Sequence, residues 1–148
     1  MKLATIGYEG ASQKAVFDAL RDAHVDVLAD VRAVTSSRRP GFSKSHLASA
    51  LSELGVSYMH LRDLGTPKEG RLAVKSGDVP AMHRIFAKHM KTPEALHDYE
   101  ALLGLVKSGR KVCLLCYEHD PGQCHRTIIA ERVHDQLGVR IEHLTPAV

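Results

Sequence analysis

Between Lys111 and Val133 the chain reads KVCLLCYEHDPGQCHRTIIAERV, and five of its side chains, Cys116, Glu118, Cys124, His125 and Arg126, are suited to chemistry. Cys124 stands where the apolar pattern of a helix begins. A thiol there is stabilised as thiolate by the helix dipole and by Arg126 or protonated His125, which would lower its pKa from about 8.5 toward neutrality. Cys124 is therefore the candidate nucleophile, with Glu118 and His125 as the groups that take or return its proton. Arg126 carries a planar fork of donors matched to phosphate. Cys116, closer to the strand, reads first as structural although it faces the same loop, and Cys113 reads as a core strand residue.

Spacing bears on two simpler readings of these thiols. The Cys-x5-Arg loop of phosphatases and rhodaneses is absent, because Gly122 and Ala130 stand where the arginines would fall. Cys113-x2-Cys116 resembles a zinc half-site, but residues an odd number apart on a strand face opposite sides of the sheet and cannot easily chelate one ion. A metal held by Cys116, Cys124, Glu118 or His125 stays open, as does a disulfide between the cysteines. No metal is assigned and no cofactor is legible.

The elements that must position these groups alternate between strand and helix patterns. Strands are expected at Leu3–Ile6, Val25–Val31, Val56–Leu61, Lys111–Cys116 and Arg140–Leu144. Helices are expected from a Ser12 cap to about Asp22, from a Ser43 cap to a Gly55 stop, over Ala81–Met90, over Pro93–Lys107, and from Cys124 to a Gly138 stop. The stretch from Arg62 to Pro80 holds three glycines and two prolines and reads as irregular, a possible lid. Helical crossovers force neighbouring strands to run parallel, so the fold class is α/β: three layers, with a mostly parallel sheet of about five strands flanked by helices. The 148 residues suffice for a single domain spanning the chain.

Parallel strands deliver the residues beyond their carboxyl ends to one rim, where open α/β sheets hold their ligands. Tyr8 and Glu9, Asp30 and Arg32, His60, and Cys116 with Glu118 all leave strands there, and Ser36 and Arg38 lie in the loop after the second strand. Glu9, Asp30 and Glu118 can orient arginines or act as bases. Equally, they can form ion pairs with Arg32, Arg38 and Arg126 that only tie loops together. His60 has the competing reading of a satisfied core histidine.

The segments TIGYEG, DVR with the Ser36–Arg38 region, Phe42-Ser43, YMHLRDLG from Tyr58 to Gly65, and CYE…CHR…IA from Cys116 to Ala130 together resemble the domain of unknown function 488 family. The likeness spans nearly the whole chain in order. It implies a small cytoplasmic α/β domain and carries no activity, so mechanism rests on the side chains.

A net charge of +3 falls short of the lopsided charge of a dedicated DNA-binding domain, and 5% aromatic residues give few stacking platforms. No run is long enough to span a membrane and the amino terminus lacks a signal-peptide core, so a cytoplasmic protein without membrane partners is expected. The leading expectation is a strand-end pocket that binds a phosphate-bearing ligand, a nucleotide or a nucleic acid, and acts on it through Cys124, Glu118 and His125. Tyr8, Glu9, Asp30, Arg32, Ser36, Arg38, His60, Cys116 and Arg126 are expected around the ligand. The alternatives are a non-catalytic nucleic-acid module built on the Arg38-Arg39 loop and a cysteine-based metal or redox protein.

Overall fold

The computed structural model describes residues 1–148. Five strands, β1 (Lys2–Gly7), β2 (Val27–Asp30), β3 (Ser57–His60), β4 (Val112–Cys116) and β5 (Arg140–Leu144), form one sheet in the order β3-β2-β4-β1-β5. Every pairing is parallel, with Gly7 beside Cys116 and Asp30 beside Leu115 at the carboxyl rim. Central β4 is buried along its whole length, as expected of a strand covered on both faces.

Alternating side chains divide the core in two. Ala4, Ile6, Leu28, Cys113 and Leu115 pack with Val16 and Leu20 of α1 (Gln13–Asp22) and Leu47 and Leu51 of α2 (Lys44–Glu53). On the other face Leu3, Val27, Ala29, Val112 and Leu114 meet α4 (Val79–His89), α5 (Pro93–Lys107) and α6 (His125–Leu137), with α3 (Lys68–Lys75) against the same layer. This is the three-layer α/β architecture. The chain leaves β1 and β2 toward one face and leaves β4, which lies between them, toward the other. That divergence opens a crevice at the rim.

Two local expectations are corrected. The Arg62–Pro80 stretch is not irregular: it holds a 3-10 turn at Arg62–Leu64, helix α3 and the first turn of α4. Gly70, which reads as a breaker, sits inside α3 because a Cβ there would lie 2.4 Å from Thr66 Cγ2. Ser43 occupies the amino-terminal position of α2 but does not cap it; its Oγ instead accepts from the Ser37 N–H at 3.1 Å and closes the loop before the helix. Ser12 caps α1 as its position implies, accepting from Ala15 N–H at 3.1 Å.

Candidate active site

Cys116 ends β4 on the α6 side of the sheet, and His125 opens α6 directly above it. His125 Nε2 lies 2.7 Å from the Val31 carbonyl oxygen. A carbonyl can only accept, so Nε2 carries the hydrogen and the neutral ring keeps its lone pair on Nδ1. Nδ1 faces two sulfurs, Cys116 Sγ at 3.5 Å and Cys124 Sγ at 3.9 Å, and Cys116 Sγ also lies 3.2 Å from Glu118 Oε2. Phe86 packs edge-on against the imidazole at 5.2 Å and fixes its plane.

A cavity of about 110 Å³ opens onto this group, lined by Tyr8, Arg32, Cys116 and Glu118 from the strand ends, by His125 from the start of α6, and by Thr66, Arg71, Val74 and Met82 from α3, α4 and the turn before them. The volume suits a small ligand or a ligand's terminal group. Burial alone opposes a charged imidazolium, but the Cys124 thiol, the Val31 carbonyl and the Glu118 carboxylate outweigh it and hold His125 above the ordinary imidazole value. For Cys124 the direction is opposite to the sequence expectation: burial first, then the neighbouring Cys116, pushes the thiol well up. Cys124 does not line the cavity; Cys116 does. The two cysteines therefore exchange the places that the sequence suggests for them. Strand position makes Cys116 look internal, yet β4 ends at it and the next residues turn away.

Most of the other rim groups are engaged with the protein. The Arg32 Nε and Nη2 donate to the two oxygens of Asp30 at 2.8 and 2.7 Å, and Nη1 donates to Tyr8 Oη and the Phe42 carbonyl. Asp30 has no exposure and also accepts the Tyr58 hydroxyl, so it stands behind Arg32 and not against a ligand. Arg32 keeps its cavity-facing side with one Nη2 hydrogen uncommitted. Arg126 is fully buried and donates to Thr5 Oγ1 at 3.1 Å and to the Glu118 and His119 carbonyls at 2.7 and 3.4 Å. It lies off the cavity and clamps the loop that carries Glu118.

Glu9 accepts the His119 N–H at 3.0 Å, joining the β1 and β4 loops, and His60 Nε2 donates to the Arg32 carbonyl at 2.8 Å. Ser36 and Arg38 are exposed on the loop after β2, away from the cavity, and Arg39 is bound back to the Ala11 carbonyl. Thr66, Val74 and Met82 are cavity residues that the sequence does not reveal. Arg71 lies in the Arg62–Pro80 stretch that the sequence marks as a possible lid. Its Nη1 donates to the Thr66 carbonyl at 2.8 Å, and the side chain lines the cavity with no other partner in the protein.

An open parallel sheet with a thiol, an imidazole and a carboxylate at a switch-point cavity defines a class: a small α/β domain with a cysteine–histidine centre at its strand ends. Within that class, the chain belongs to the DUF488 family, Domain of unknown function DUF488, whose model matches residues 12–133. No curated protein and no solved structure matches the chain. No helix is long and apolar enough to cross a membrane.

Proposed function

We propose that the protein is a cysteine-dependent enzyme acting on a small phosphate-bearing molecule at the strand-end cavity, with Cys116 as nucleophile. The observation that carries this reading is the His125 tautomer, whose Nδ1 lone pair faces Cys116 Sγ at 3.5 Å on the cavity wall. The Cys116 proton passes to Nδ1. The resulting imidazolium is held by the Val31 carbonyl and faces the Glu118 carboxylate. Thiolate attack forms a bond from Sγ to the electrophilic centre of the ligand and expels a leaving group, which departs with its electron pair and takes the proton from His125. Water, deprotonated by His125, then cleaves the sulfur adduct and regenerates Cys116. The uncommitted N–H groups of Arg71 and the free Nη2 hydrogen of Arg32 meet the phosphate oxygens.

Two measurements test this. A small alkylating reagent followed by mass spectrometry should modify Cys116 at least about tenfold faster than Cys113 or Cys124, and His125→Ala should remove the difference. In a thermal-shift screen of nucleotides and phosphoesters, at least one compound should raise the Tm of the wild type and not that of Arg71→Ala. Equal reactivity of all three thiols together with a flat screen would end this assignment.

A further inference from the structure

The same corner of the molecule also approaches the geometry of a metal site. Cys116 Sγ, Cys124 Sγ and His125 Nδ1 lie within 4.8 Å of one another, and the two sulfurs are 3.5 and 3.9 Å from the nitrogen. Zinc bonds of about 2.3 Å to sulfur and about 2.0 Å to nitrogen give a tetrahedron whose ligand-to-ligand edges are about 3.5–3.8 Å. The two nitrogen–sulfur separations thus stand close to those edges, and the two sulfurs lie within 4.8 Å of each other.

Three further features favour an ion. The lone pair is on the correct nitrogen, and the opposite ring N–H is held by a backbone carbonyl, the usual outer support of a ligating histidine. Glu118 Oε2, 3.2 Å from Cys116 Sγ, is an oxygen donor on the cavity side, where a fourth ligand would enter. The donors sit on the end of β4 and the start of α6, and Arg126 fastens the intervening loop by its carbonyls. Cys113 takes no part, because its side chain packs in the core on the opposite face of the sheet.

We infer that this site binds a thiophilic divalent transition-metal ion, with Zn²⁺ as the reference case, through Cys116, Cys124 and His125, with the fourth position open toward the cavity. Binding releases the two thiol protons to solvent and forms two metal–sulfur bonds, with no change of oxidation state. It also withdraws Cys116 from nucleophilic work, so the metal-bound protein is the inactive form of the enzyme proposed above. Only that consequence rests on the catalytic reading; the ion site does not.

The experiment uses full-length protein stripped with a chelator and titrated with Zn²⁺ by calorimetry, and with Co²⁺ to read thiolate ligation from its charge-transfer absorption. About one equivalent should bind. Cys124→Ser should weaken zinc binding at least about tenfold and reduce the cobalt–thiolate band, while Cys113→Ser should change neither. Zinc added first should protect Cys116 from alkylation. Absent zinc uptake, or uptake indifferent to Cys124→Ser, overturns the metal site; if Cys116 is still alkylated fastest, the thiol reading survives. Uptake in a protein whose stripped form shows no selective Cys116 reactivity and a flat ligand screen supports the metal site and removes the catalytic one.

Discussion

Arg32 and Arg126 follow a similar sequence logic, each a cation close behind a strand or at a helix start, yet they do different things. Arg126 has every neighbouring acceptor supplied by the protein and acts as a brace. Arg32 is paired to Asp30 in bidentate fashion with both groups nearly or wholly buried, and its remaining surface faces the cavity. Removing one partner of such a pair strands the other charge out of water. Asp30→Ala, which leaves Arg32 uncompensated and the Tyr58 hydroxyl without its acceptor, should cost about 3–5 kcal/mol in urea unfolding. A loss below about 1 kcal/mol would show that water reaches Arg32 in its place. The acids at the rim were legible as acids; whether each faces a ligand or an arginine depends on partners far away in the chain.

Elements place the site through close approach as much as through side chains. Gly7, at the end of β1, faces the loop after β4 so tightly that a Cβ would stand 1.8 Å from the Glu118 carbonyl oxygen and 3.0 Å from Arg126 Nη1. No rotamer relieves a contact with backbone. Gly7→Ala should therefore push the 117–119 segment outward, loosen the Arg126 clamp and cost roughly 3 kcal/mol. The thermal midpoint would fall, and the selective alkylation of Cys116 should fall with it, because Glu118 moves with that loop. Unchanged alkylation kinetics would separate the loop from the site. The helices and strands were visible in the sequence wherever the apolar period was regular. The segment before α4 was not, because its glycine serves packing against Thr66 where glycine ordinarily signals a turn.

At the scale of the molecule, the edge strand β5 is tied to the site through a chain of three side chains. Arg126 Nε donates to Thr5 Oγ1, whose hydroxyl lies 2.6 Å from His143 Nδ1, and a neutral His143 accepts the Thr5 hydrogen there. Partial desolvation, and then the charge of Arg126, hold His143, which stays exposed on the edge strand, below its ordinary pKa of 6.5. The unfolded chain takes up this proton as the pH falls through 6.5 while the folded chain does not. The stabilisation is complete above that value and is lost as the pH descends toward the folded-state pKa. Between about pH 7.5 and about pH 5.5 the wild type should lose more stability in chemical denaturation than His143→Gln does. Parallel losses in the two proteins would show that the link contributes nothing.

Local pattern determined much of this protein by itself. Alternating strand and helix periods dictated a parallel sheet in three layers, and strand parity separated Cys113 from Cys116 before any coordinates were needed, because side chains on a strand alternate faces. The grouping of Cys116, Glu118, Cys124 and His125 near one strand end came from their nearness in the chain. Tertiary structure alone decided which thiol meets the cavity, which arginine stays available and which way the imidazole points. His125 takes its orientation from the carbonyl of Val31, a residue 94 positions away, and no periodicity encodes a contact that only the packing of α6 against the end of β2 creates.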